Sequence, residues 1–407
     1  MSTMRRRFHE IPPSAGLPLR ATDLLPRRGD LPGLLAGQLG IPVPLLTSSG
    51  TAALLIALAT LKERAPDRRV VVVPAYTCPL VAIAVHTLGL GLRLCDTRPG
   101  HFDMDPEALA RACTADTLAV IPTHLGGLVA DTAWACTVAH AKGAWVIEDA
   151  AQALGAQDRG QSVGLRGDIG FFSLAAGKGL SIYEGGLLVA SDPSLRMALH
   201  RTHDALVPRH PGWELRRCVE LLGLAALYRP LGLGLAYGHP LRRHLRRGDA
   251  VAAVGDAFGP KIPLHRVGRW RQGVGTRAAA RWPAFLARRR AQALARVARL
   301  QRIDAVDVLV PRADSEASWP LLLLHLPSEA SRDAVLARLW TGGVGVSRLF
   351  VHALGDYAYL EDRVPQVATP NAREFASRTL TITNSPWLDD DLFENIASEI
   401  AGALRTP

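Results

Sequence analysis

Lys178 is one of four lysines, with Lys62, Lys142 and Lys261, in a chain that carries 47 Lys and Arg residues. Arginine serves almost everywhere else that a positive charge is placed. Arginine cannot be deprotonated in a protein, whereas lysine can, and only a neutral amine attacks a carbonyl. Lys178 lies between Gly177 and Gly179, which clear space around it, so it is a candidate nucleophile. A plain loop lysine is the alternative. Three other features have types and spacings that match such a nucleophile. In TSSGTAALLIALATL (47–61), Ser49, Gly50 and Thr51 form a tight turn into a helix. Free N–H groups at a helix N-terminus bind phosphate, although Ser and Thr are also ordinary caps there. In WVIEDAAQALGA (145–156), Asp149 falls where an apolar strand stops and Gln152 follows three residues on. Ser173 stands five residues before Lys178 and can cap or bind phosphate.

Together these residues suggest one chemistry. Pyridoxal phosphate requires a lysine for a Schiff base, a carboxylate at the pyridinium nitrogen and a phosphate cup. The carboxylate keeps the ring nitrogen protonated, so the ring accepts the electrons left when a Cα proton departs.

The elements that must position these groups are an alternation of short apolar runs and amphipathic stretches. Strands are expected at 43–46, 69–75, 92–96, 117–124, 144–150, 168–175 and 186–192, with helices near 50–62, 79–88 and 131–142. Such alternation predicts an α/β fold with a mostly parallel sheet covered on both faces, and its strand ends are where ligands bind. The rhythm breaks over 205–262, where CVELLGLAALYRPLGLGLAYG (218–238) is followed by HPLRRHLRR (239–247). Beyond it, 277–300 reads as one long amphipathic helix, 318–326 as a strand, 331–343 as a helix and 389–404 as a terminal helix. The expected organisation is an irregular arm (1–20), a large α/β domain (21–262) that carries the apolar and basic insert, and a smaller C-terminal α+β domain (263–407).

The formal charge of +10 is spread along the whole chain and mixed with acids, and no nucleic-acid motif accompanies it. Nucleic acid is therefore not expected as a partner. The five cysteines, Cys78, Cys95, Cys113, Cys136 and Cys218, form no CxxC pair, which fits a reducing cytoplasm. The start of the chain has no apolar stretch of signal-peptide type, and no apolar run reaches the ~18 residues of a membrane span. His200 and His203 lack a third ligand at zinc spacing, so no metal site is expected.

The segments SSGTAALLIAL, VIPTHLGGLVAD, VIEDAAQALGA, GDIGFFSLAAGKGLSIYEGG and TLTITNSPWLDDD occur in this order. In this the chain resembles the DegT-like (StrS-type) aminotransferases, strongly over about 40–200 and more loosely over 262–404. These are fold-type I pyridoxal-phosphate enzymes, like aspartate aminotransferase, that mostly aminate keto groups of nucleotide-linked sugars in amino-sugar biosynthesis. The resemblance implies a seven-stranded-type sheet and a cytoplasmic homodimer with shared active sites. It implies that Lys178 forms the aldimine and shuttles the proton, and that Asp149 pairs with the pyridinium nitrogen. Gln152 then supports the phenolic edge of the ring, and Ser49, Gly50, Thr51 and Ser173 hold the phosphate. Arg266, in LHRVGRW (264–270), is the candidate for a phosphate contact from the partner subunit. Glutamate or glutamine is the expected amino donor.

The chain departs from the family at several points. The aromatic residue over the ring falls at Cys78 here, and Tyr76, two residues earlier, is the candidate to replace it. Leu264 stands near the position of the usual Asn of the trans loop. His124, Tyr183 and Arg348 are candidate substrate contacts. The insert is expected to be a helical insertion packed on the large domain or the dimer interface. The sharper expectation is that residues 213–248 meet a membrane or an acyl-bearing substrate. Action on a non-sugar or lipid-linked substrate and a non-catalytic regulator are the alternatives. Lys178 and Asp149 speak against the regulator, and Lys178 against a dehydratase.

Overall fold

The computed structural model describes residues 9–405, so residues 1–8 of the expected arm lie outside the described part. Seven strands form the large sheet: β1 (Leu45–Thr47), β2 (Val70–Pro74), β3 (Gly91–Cys95), β4 (Thr117–Val120), β5 (Trp145–Asp149), β6 (Ile169–Ser173) and β7 (Gly186–Val189). Their order is β1-β7-β6-β5-β4-β2-β3. Only β7 runs against the others, pairing antiparallel with both β1 and β6. All seven coincide with the expected apolar runs. The reason is visible in burial: β4 and β6 are buried at every residue, as a sheet covered on both faces requires.

Helix α1 (Gly50–Arg64) follows β1 directly. Its cap is Ser49, whose hydroxyl accepts the Ala52 N–H at 3.0 Å, and Lys62 and Arg64 sit in the last turn, where they suit the helix dipole. The insert forms α2 (Pro211–Leu227) and α3 (Pro230–Leu245), bent by 116° at Pro230. Gly234–Gly238 is a π-helical turn inside α3. The long helix expected over 277–300 is a correction. The chain breaks after Arg269–Ala279 and restarts as α4 (Trp282–Leu300), because Pro283 in the first turn has no N–H to donate back to a preceding helical turn and its ring clashes with it.

Four further strands, β8 (Asp307–Val308), β9 (Leu321–His325), β10 (Val346–Ser347) and β11 (Thr379–Thr383), form an antiparallel sheet in the order β8-β9-β11-β10. Helix α5 (Asp390–Arg405) buries Phe393, Ile396, Ala397, Ile400 and Ala403, a stripe at helical spacing. One hydrophobic cluster runs from Ile56 of α1 and Ile147 of the first sheet to Leu322 and Ile382 of the second.

Residues 9–20 form no helix or strand, yet they are tightly held. Glu10, Ile11, Ala15, Leu17 and Leu19 are buried. Ala15 N–H donates to Pro320 O (2.7 Å) and Leu17 N–H to Gly179 O (3.0 Å). Arg289 of α4 donates to Ala15 O at 2.7 Å and Ser318 O at 2.6 Å. The arm therefore ties the second sheet to the loop that carries Lys178.

Candidate active site

The strand ends converge on a cleft of about 600 Å³, a size typical of small-molecule sites. Asp149 closes β5, Ser173 closes β6, and Lys178 follows in the next loop; all three line the cleft. On the neighbouring edge stand Ser49, Gly50 and Thr51 at the start of α1. Two glycines make this corner possible. A Cβ on Gly50 would stand 3.2 Å from the Ser173 Cβ, and one on Gly186 would collide with Ser49 O. The turn, the helix start and the Ser173 hydroxyl therefore lie flush.

Burial shifts the two key charges toward neutrality. It lowers the pKa of Lys178, against the opposing pull of Cys78 and Asp149. It raises the pKa of Asp149, against the Ala151 N–H, which Oδ1 accepts at 3.0 Å, and the charges of Lys178 and His124. The carboxyl is 4 % exposed and meets one backbone donor, so it suits a protonated ring nitrogen arriving from the cleft. Gln152 also lines the cleft; its Oε1 accepts Gly126 N–H at 2.8 Å, so its NH₂ end remains for a ligand. These residues fit pyridoxal phosphate: a carboxylate for the ring nitrogen, an amine of lowered basicity, and a helix N-terminus with hydroxyls for the phosphate. Lys261 lines the same cleft but is exposed.

Between Cys78 and Tyr76, the cleft takes Cys78. Burial pushes its thiol up to about 12, which keeps it neutral. Tyr76 is a correction. It does not line the cleft: its ring packs edge-on against Phe350 and Phe375, behind the lining residue Phe350, and its hydroxyl donates to Phe350 O at 3.1 Å. The β2 strand ends at Pro74, so the alternation that would aim residues 76 and 78 the same way has stopped.

His124 is a second correction. It lies under the site, 1 % exposed, and does not line the cleft. Its Nδ1 accepts Ala130 N–H at 3.0 Å, so its Nε2–H donates to Glu148, 2.9 Å away. Glu148 also accepts N–H groups from Gly164, Arg166 and Gly167. Burial works against this carboxylate, but His124 and these amides hold its pKa below the ordinary value. Glu148 thus anchors the strand that presents Asp149. Tyr183 is the third correction: it sits at φ +71° with its ring 5.8 Å from the Arg217 guanidinium, outside the cleft lining.

Arg348 does line the cleft, held by Val351 O (2.5 Å) and Ala376 O (3.0 Å). Beside it the sequence reading missed Asp256. This residue is 3 % exposed and its Oδ2 accepts Tyr357 O–H (2.7 Å) and Val351 N–H (2.9 Å). Burial raises its pKa to about 6, against those hydrogen bonds and the charge of Arg348. Tyr237 of α3 also reaches the cleft. Arg266 does not: it binds Asp204 (2.9 Å) and Val207 O (3.2 Å) at the surface.

The model of the DegT/DnrJ/EryC1/StrS aminotransferase family matches residues 34–210 and 272–401, leaving most of the insert outside. Protein MosB of Rhizobium meliloti is 43 % identical over 239 residues, covering 54 % of the chain and 46 % of MosB. An L-glutamine:2-deoxy-scyllo-inosose aminotransferase of Micromonospora echinospora is 35 % identical over 192 residues, 46 % of the chain and 45 % of the relative. In these two matches the chain spans about half the length of the relative. A UDP-N-acetyl-3-dehydro-alpha-D-glucosamine 3-aminotransferase of Acidithiobacillus ferrooxidans is 28 % identical over 373 residues, 91 % of the chain and 87 % of the relative. The solved aminotransferase TlmJ from Streptoalloteichus hindustanus superposes with a TM-score of 0.73 at 21 % identity, over 97 % of the chain and 99 % of TlmJ, and shares the fold. The chain belongs to the DegT/DnrJ/EryC1/StrS aminotransferase family.

Proposed function

We propose that this chain is a pyridoxal-phosphate-dependent transaminase that moves an amino group from glutamate or glutamine to a keto group of a sugar. The observation that carries the reading is a half-buried lysine and a buried carboxyl, Lys178 and Asp149, lining one cleft beside a helix N-terminus. When bound, the cofactor supplies an electron sink for the carbanion formed at the amino-bearing carbon. The chain's residues do the rest. Asp149 holds a proton on the ring nitrogen. Lys178, made easier to deprotonate by burial, takes a proton at Nζ and returns it to a neighbouring carbon. The N-terminus of α1 and the hydroxyls of Ser49, Thr51 and Ser173 hold the phosphate, and Arg348 meets an anionic group of donor or acceptor.

The keto-sugar reading is supported by the relative from Acidithiobacillus ferrooxidans, which aligns along nearly the whole chain, and glutamine as donor by the relative from Micromonospora echinospora. The reading further places the enzyme in the cytoplasm, since its cysteines are all unpaired. It takes the chain to be a homodimer, with a large domain to residue 262 and a small one from 263. The surface position of Arg266, away from its own cleft lining, supports a role at a neighbouring subunit's site. The test is a single-turnover assay of the cofactor-loaded protein with glutamate and with glutamine. Stoichiometric release of the 2-oxo acid from one of them is expected, and release from neither contradicts the reading.

A further inference from the structure

Helices α2 and α3 lie in the stretch that the family model leaves unmatched, and both are apolar on two faces. On α2, Arg217, Leu221 and Tyr228 just beyond its end are buried, at the spacing of one helix face. On the opposite face Leu215, Val219, Leu222 and Ala226 are exposed, Leu215 by 67 %. The exposed apolar run continues across the bend through Leu227 and Leu231 to Leu235, which is 68 % exposed. Six of the large apolar side chains that the described residues leave exposed fall in this one segment. An apolar face of this kind on both helices marks a contact surface.

Charge says what it meets. Among the described residues, Arg229, Arg243, Arg246 and Arg247, on the same pair of helices and the turns next to them, are exposed and have no acidic partner. The acids of α2 are already paired: Glu214 binds Arg271 at 2.6 Å, and Glu220 binds Arg216 and Arg217. A second copy pairing through this face by a two-fold axis would bring the patch against itself, arginine included. An anionic bilayer supplies both the hydrocarbon and the negative charge. The 116° bend and the length of each helix suit a pair lying in the interface; among the described residues no single helix is long and apolar enough to cross a membrane.

We propose that the outer face of α2 and α3 docks the enzyme on an anionic lipid surface. The same pair also touches the cleft: Tyr237 of α3 is among its lining residues, and Arg242 binds Glu10 of the arm at 2.7 Å. Docking therefore sets the cleft beside the membrane surface.

The test is flotation of the full chain with phosphatidylglycerol-rich and with phosphatidylcholine vesicles, with oligomeric mass measured by light scattering. Wild type is expected to float with the anionic vesicles only. The variant Arg243→Gln/Arg246→Gln/Arg247→Gln should lose roughly a hundredfold in partitioning. Leu231→Glu/Leu235→Glu should lose flotation, with unchanged mass. Should this pair of substitutions fail to fold, the arginine variant decides alone, since its side chains hold no partner in the fold. Wild type that stays with the soluble fraction overturns the proposal. So does flotation that survives the arginine substitutions, or a drop in mass in the leucine variant, which would assign the face to a second copy.

Discussion

The hydroxyl of Tyr228, in the insert, clamps the backbone on either side of Ala15: it donates to Ser14 O at 3.1 Å and accepts Gly16 N–H at 3.2 Å. Ser14 in turn donates from Oγ to Gly177 O at 2.8 Å, one residue before Lys178. A residue of the unmatched segment thus reaches the loop that carries Lys178 through the N-terminal arm, in two hydrogen-bonded steps. Gly177 is needed at its place, since it sits at φ +77° and a Cβ would stand 2.8 Å from that same Ser14 Oγ.

Tyr228→Phe removes the clamp and leaves two buried backbone groups without their partner. The expected cost is about 1–3 kcal/mol in stability. Thermal unfolding measures that loss. The single-turnover rate with the amino donor should fall as well, because the loop that holds Lys178 is freed. An unchanged rate in a destabilised variant would confine Tyr228 to a structural role.

Asp256 predicts an unusual pH dependence. Its folded pKa, about 6, lies above the ordinary 3.8, so the fold favours the protonated form. Its contribution is fully present below pH 3.8 and is lost as the pH rises through about 6. Asp256→Asn keeps an acceptor for Tyr357 and Val351 but removes the charge. The variant should match wild type in denaturant unfolding at pH 4 and exceed it at pH 8, by about 2 kcal/mol.

Arg266 predicts complementation between subunits. If it serves the partner's site, Lys178→Ala and Arg266→Ala chains are each impaired alone. Unfolded and refolded together, they should recover about a quarter of wild-type activity, because half of the dimers are mixed and one of their two sites is intact. Mixing that restores nothing would put Arg266 outside the active site.

Much of this was legible in the sequence, for identifiable reasons. The sheet strands are continuous runs such as VVVV at 70–73, which only a doubly covered strand accommodates. The groups of the phosphate corner and Asp149 are local features of strand ends. Pro283 also announced the break before α4, and reading 277–300 as one helix overlooked it. Other features depend on distant partners. Asp256 belongs to an unremarkable AVGDAFGP stretch, and its environment comes from Tyr357, 101 residues away in sequence. Tyr76 and His124 have types suited to a site, but the packing of Phe350 and Phe375 and the buried Glu148 carboxylate claim them. Tyr183, a candidate substrate contact in the sequence, has a positive φ, and its ring lies against Arg217.

The central claim concerns Lys178 alone, and two lysines line the cleft. The cofactor-loaded protein and Lys178→Ala should each be treated with borohydride, digested and analysed by mass spectrometry. The account predicts a reduced pyridoxyl group on the peptide that contains Lys178, and no such adduct in the variant. An adduct on Lys261, or none in wild type after full loading, would contradict it.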